Sequence, residues 1–205
     1  MLERAGLSQR HETVLRELCH IGTQTGIQWL RSLAGDELHG TVQKPSFEPA
    51  NILPGYIGGN DIASLVALEQ SFSGPVTGAY SLLLTEDTAS ALARSVLITQ
   101  GMDEGYLDEM RQDILGEISN VILNGCVSSL ADALKVELDS KTPCVRPSAQ
   151  HLTHPGGAGV ELLSARAVIE SPCGQLRADA VFILDLLPTP ELEKLLDEAD
   201  ALLRG

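Results

Sequence analysis

Apolar residues recur at helical spacing in two long segments, TVLRELCHIGTQTGIQWL (13–30) and DILGEISNVILNGCVSSL (113–130). Around the second, Leu107, Met110, Ile114, Ile118, Val121, Ile122 and Gly125 cluster on one arc of a helix turning about 100° per residue, the face a globular protein buries. After each helix the pattern changes to apolar runs broken by turn residues. DIASLVALEQSF turns at SGP into VTGAYSLLL, and GVELLSARAVIES turns at PCG into QLRADAVFILDL, so each reads as a hairpin whose turn carries Gly and Pro. A shorter helix follows each hairpin, TASALARSVL in one case and TPELEKLLDE in the other.

The order of elements therefore occurs twice. Setting residue n beside residue n+100 aligns the two long helices, and the same offset sets VTGAYSLLL (76–84) against LRADAVFIL (176–184). One half spans about 8–100 and the other about 106–205, joined through Gly101 to Tyr106. Two such halves bury their hairpins best in one shared antiparallel sheet with the long helices side by side on one face. The expected fold is α+β, a single domain of two pseudosymmetric halves.

Composition narrows the function classes. Hydrophobic residues make up 43% of 205, enough for a sizeable core, and aromatics only 3%, so that core is mainly aliphatic. A formal charge of −14 argues against nucleic acid, whose phosphates need a basic footprint, and against anionic membrane surfaces. MLERAGLSQRHE has no basic-then-apolar signal pattern, and no uninterrupted apolar run approaches the ~20 residues of a bilayer span. A cytoplasmic protein without a membrane span is expected. Cys19, Cys126, Cys144 and Cys173 are widely spaced with no CxxC pair, which fits reduced thiols, two of them buried in helices, rather than a disulfide frame or zinc site. HPGGAG (154–159) lacks the GxxxxGK pattern and a following helix, and reads as an exposed loop rather than a phosphate cradle.

The candidate chemistry lies on the polar side of the second long helix. Asp113, Glu117, Asn120 and Asn124 fall within roughly 60° of one another around the helix axis. Two carboxylates and two carboxamides supply acceptors and donors but no cation and no good nucleophile. Between Arg111 and Lys135 the helix has no Lys or Arg, so a partner is the source of any neutralising charge. The stripe recurs in the first helix as Thr13, Glu17, His20 and Gln24. Glu17 and His20 spell Glu-x-x-His, a di-iron spacing, but that needs a second such pair, and Asn120 beside Glu117 is a poor ligand for transition metals; no metal is expected. A Cys–His nucleophile fares no better, because Cys19 and His20 are adjacent on a helix and diverge by about 100°.

Asp113, three residues, Glu117, two residues, Asn120, twenty-two residues and Pro143 match the motif of the CheC/CheX/FliY family of chemotaxis phosphatases. The likeness extends to two pseudosymmetric halves with motif-bearing helices side by side on a sheet, and so covers residues 8 to 187. It implies dephosphorylation of the phospho-aspartate of a CheY-like response regulator, with Glu117 and Asn120 as the catalytic pair and Asp113, Pro143 and Asn124 in support. It also implies that Glu117 meets the receiver's own lysine, that the Mg2+ belongs to the receiver, and that this chain has no cofactor of its own. The side chains fit such a role: Asn120 cannot act as a general base, but its carbonyl can accept from an attacking water and hold it, as a glutamine does in small GTPases. In the first helix Thr13 replaces Asp or Ser, His20 replaces Asn, and Gln43 stands where Pro is expected, with Pro45 two residues late. That site reads as degenerate, and Arg16, opposite Gly116 in the repeat, would crowd it. The alternative is a non-catalytic module whose acidic stripe docks or sequesters a response regulator or a CheD-like deamidase.

Overall fold

A computed structural model of the chain describes residues 7–34, 38–58, 61–149, 161–171, 177–187 and 189–203. The order is α1 (Gln9–Ala34), β1 (His39–Val42), β2 (Ser46–Pro49), 3-10 turns at Ala50–Ile57 and Ile62–Ser64, β3 (Val66–Ser73), β4 (Gly78–Leu84) and α2 (Glu86–Thr99). A 3-10 turn at Glu104–Tyr106 then leads into α3 (Leu107–Leu134), β5 (Asp139–Ser140), β6 (Cys144–Arg146), β7 (Glu161–Glu170), β8 (Arg177–Leu186) and α4 (Pro190–Leu203). The two long helices, two hairpins and two shorter helices stand where the apolar periodicity put them. The first hairpin strand starts later than expected, because the Asp61 carboxylate accepts from Ala63 N at 2.9 Å and caps a 3-10 turn instead of extending the strand. The PCG turn, Cys173 and HPGGAG lie outside the described residues.

Among the described residues eight strands form one antiparallel sheet in the order β1-β7-β8-β4-β3-β5, with β2 also on β7 and β6 also on β3. The seam between the halves is β4 against β8, and at its middle Leu82 stands opposite Phe182, its own counterpart at the hundred-residue offset. Away from the seam the offset drifts. Tyr80 faces Gln70 whereas Ala180 faces Ala167, so Ala167 rather than Glu170 is the structural counterpart of Gln70.

All four helices contribute to the core on one face of this sheet, where Val66, Leu68, Phe72, Tyr80, Leu82 and Phe182 are buried beneath them. The opposite face is covered as well, by Leu53 and Ile57 of the first 3-10 turn packed with Leu65, Ala67, Leu83, Val181 and Ile183. Burial on both faces is why SLLL and AVFIL read as continuous apolar runs rather than alternating ones. α1 and α3 approach closely at small residues. A Cβ on Gly26 would meet Cys126 Sγ at 2.7 Å and the Ile122 carbonyl oxygen at 3.0 Å, so only glycine permits this crossing.

The buried arc of α3 is wider than its periodicity suggested. Ile114, Ile118, Ile122 and Gly125 are buried as expected and Leu107, Met110 and Val121 only half, while Leu115, Ser119, Leu123 and Cys126 are also enclosed because the helix packs on α1 and the sheet at once. By length and composition alone, Glu104–Leu134 is also apolar enough to cross a bilayer, as the core helix of a globular protein can be. Here its apolar side is satisfied by α1 and the sheet.

Candidate functional site

Asp113, Glu117 and Asn120 are exposed along the outer face of α3, with Asn124 half-buried at its lower edge. The core residues Ile114, Ile118 and Ile122 anchor the other side of the helix and so fix which way this stripe points. Among the described residues no Lys or Arg pairs with Asp113 or Glu117. The Glu117 carboxylate accepts instead from Gln100 Nε2 at 3.3 Å. Gln100 caps the C-terminus of α2, and Gly101, at φ 72°, turns the chain away from it, so the join between the halves borders the site. A Cβ on Gly116 would meet nothing within 4 Å, which leaves the surface beside Glu117 open to a partner.

Asn120 is held from below. Its Oδ1 accepts from Asn124 Nδ2 at 2.8 Å, and Asn124 Oδ1 accepts in turn from Gln70 Nε2 at 2.6 Å. Gln70 lies on β3 at an inward position of the run Val66, Leu68, Gln70, Phe72, and its Nε2 also donates to the Lys141 carbonyl at 3.1 Å. Lys141 N donates to Ser71 O at 2.9 Å, tying the connection between β5 and β6 to the same strand. Pro143, two residues further on, is half-buried in that connection, just before β6 pairs with β3. Gln70 thus ties Asn124, and through it Asn120, to the segment leading to Pro143.

The first stripe shares the placement but not the support. Thr13, Glu17 and Gln24 are exposed on α1 and His20 is half-buried. The Thr13 hydroxyl donates to the Gln9 carbonyl at 3.0 Å, which closes it onto its own helix. Among the described residues Glu17 and Gln24 make no hydrogen bond or ion pair, and His20 Nδ1 is buried without a partner. Gln43 N donates to the Arg166 carbonyl at 2.8 Å and Pro45 is buried, so a strand-like hydrogen bond is made where the motif would set a proline. Arg16 reaches Glu12 at 3.2 Å and lies 5.1 Å from the centre of the Phe47 ring, so it is held by neighbours of its own.

Gln70 and Gln100 are the site neighbours that the motif leaves out. A polar residue interrupting an inward-facing apolar series was the available signal for Gln70; Gln100 had none, since its contact depends on how α2 ends. Cys19 and Cys126 are fully buried, and burial pushes the Cys19 thiol up to about 12 and raises that of Cys126 as well, so neither is a thiolate nucleophile near neutrality. Among the described residues no three His, Cys, Asp or Glu side chains converge on a common point.

Residues 66–160 match the family model described as chemotaxis phosphatase CheX. No curated protein sequence matches the chain. Among solved structures, Thermotoga maritima FliY shares the fold at TM-score 0.66 and 16% identity, over 95% of this chain and 98% of that one. The FliM middle domain from H. pylori shares it at TM-score 0.62 and 10% identity, over 94% and 99%. A chain of the CheX–CheY–BeF3–Mg2+ complex from Borrelia burgdorferi matches at TM-score 0.53 and 11% identity, over 82% and 96%. At such identities these structures share the fold and speak to nothing finer. The family match, which contains Gln70 and the whole span from Asp113 to Pro143, joins with the shared fold to bear out the resemblance to the CheC/CheX/FliY chemotaxis phosphatases.

Proposed function

We propose that this chain dephosphorylates the phospho-aspartate of a CheY-like response regulator, in the cytoplasm, using Glu117 and Asn120 of α3. The observation that carries the reading is the pairing of an exposed carboxylate with an exposed, hydrogen-bonded carboxamide one helical turn on, beside an open surface at Gly116. An acyl phosphate is already activated, so the protein needs mainly to place a water in line with the bond that breaks. Asn120 Oδ1 spends one lone pair on Asn124 and keeps the other for a water hydrogen, while Nδ2 remains available to the water or the phosphoryl oxygens. The water oxygen attacks phosphorus, the P–O bond to the aspartyl carboxylate breaks and the carboxylate leaves, and inorganic phosphate carries away both of the water's protons. Glu117 meets a cationic group of the receiver beside its phospho-aspartate, and the receiver brings its own Mg2+. Asp113, acidic and exposed, orients neighbours rather than touching phosphate, which it would repel. Pro143 fixes the turn into β6. The Glu17 and His20 site is read as degenerate, and the chain as one domain made of an internal repeat, about 8–100 and 106–205.

Phosphorylated receiver domains mixed with catalytic amounts of this protein test the reading directly. Many phosphates released per molecule support catalysis. Stoichiometric protection without turnover would replace it with the docking module, which sequesters a receiver or binds a CheD-like partner.

A further inference from the structure

Gln70 is an anomaly of the core. It is 1% exposed, its neighbours on the same face of β3 are Leu68 and Phe72, and its Oε1 is buried without a hydrogen-bond partner. A buried unsatisfied acceptor costs about 1–3 kcal/mol, and a leucine would fill the position without that cost. Stability does not account for a glutamine here, so what its other end does is the question.

Its Nε2 has two acceptors, Asn124 Oδ1 and the Lys141 main-chain carbonyl. A carbonyl can only accept, so the nitrogen end of Gln70 must face Lys141. That choice propagates. Asn124 must present its oxygen to Gln70 and therefore its nitrogen to Asn120, and Asn120 must present its oxygen to Asn124, which leaves its Nδ2 outward. Each amide offers one acceptor end and one donor end, so the sense of the outermost carboxamide is set by a backbone carbonyl three links away. The segment whose carbonyl does this is the one that leads to Pro143.

We propose that Gln70 and Asn124 are positioning residues, a relay that fixes the rotamer and the donor–acceptor sense of the Asn120 carboxamide for its water. The inference rests on Asn120 being the water-holding residue of the proposed phosphatase. The other half of the molecule supplies the contrast: Ala167 occupies the place of Gln70, and Gln24, in the place of Asn124, makes no hydrogen bond among the described residues.

The test compares Gln70→Leu, Asn124→Ala, the double variant and Asn120→Ala against a phosphorylated receiver, with affinity for the beryllofluoride-loaded receiver measured separately. Misplacing a water-holding group lowers turnover without removing a docking contact, so each relay variant should lose about tenfold in kcat with affinity unchanged. Because the two act in series, the double variant should be no slower than either single one, whereas two independent structural losses would multiply. Gln70→Glu sharpens the result, since a carboxylate cannot donate to Lys141 or Asn124, and it should be at least as slow as Gln70→Leu. Wild-type kcat in folded Gln70→Leu, alongside an inactive Asn120→Ala, would overturn the relay and leave the phosphatase reading standing. Wild-type kcat in Asn120→Ala would overturn that reading and the relay with it. Multiplicative losses in the double variant would also overturn the relay.

Discussion

The outer faces of α1 and α3 come from one repeated pattern and have been finished differently. On α3 the stripe is tied down: Asn120 to Asn124, Asn124 to Gln70, and Glu117 to the end of α2 through Gln100. On α1 the corresponding Glu17 and Gln24 are untethered among the described residues, and His20 presents a buried ring nitrogen with no partner. The family match beginning at residue 66 includes α3 and leaves α1 outside. The two stripes share one fold, then, while among the described residues a sheet side chain is hydrogen-bonded only to the second.

The strongest way to break this contrast is Asn120→Ala, expected to lower kcat at least about 100-fold, some 2.7 kcal/mol of barrier, without unfolding the protein, because the side chain is exposed. Phosphate release under multiple turnover measures it, and His20→Ala run in parallel should remain within about threefold of wild type. Glu117→Ala should fall mainly through a raised KM, by about tenfold, since a charged contact to the receiver is lost. Glu17→Ala is its control, and an equal loss there would show the first stripe at work with His20 in the amide's place.

A constructive version adds His20→Asn and Gln43→Pro to a chain already carrying Asn120→Ala. Recovery should stay below about a tenth of wild type, because Ala167 gives the new asparagine nothing to lean on. Adding Ala167→Gln should raise it if the sheet is what separates the two stripes. The smallest effect is in stability. Burial raises the Cys19 pKa from 9.0 to about 12, so the neutral thiol's contribution is fully present below pH 9 and is lost as pH rises toward 12. Ser119 holds the matching place on α3, and Cys19→Ser should remove up to about 1.4 kcal/mol per pH unit from the slope of unfolding free energy between pH 9 and 12. Denaturant titrations at several pH values compare the two slopes.

Much of this architecture was readable because it depends on local periodicity. The 3.6-residue pattern gave both long helices, the apolar runs closed by Gly and Pro gave both hairpins, and the hundred-residue repeat implied the shared sheet. The stripe from Asp113 to Asn124 was equally plain, since four residues on one helix need no tertiary knowledge. What escaped depends on contacts between distant segments. Gln70 meets Asn124 only because β3 runs under α3, and the hairpins differ in length, so that a fixed offset points to Glu170 when the true counterpart is Ala167. The 3-10 turn of Ala50–Ile57 was hidden for another reason: eight residues containing Pro54 carry neither helical nor strand periodicity, yet Leu53 and Ile57 are buried in the cluster on the sheet's second face.

The seam at Leu82 and Phe182 has a consequence for how the chain assembles. Each hairpin closes between strands near in sequence, but the pairing of β4 with β8 must wait for a loop of about a hundred residues to close, which makes it the entropically costly step. Until then β4 offers a bare edge rich in leucine, Ser81 to Leu84, to any strand that arrives first. A second copy's β8 fits that edge as well as the chain's own, so crowded refolding should yield exchanged dimers in which each half finds its complement in another molecule.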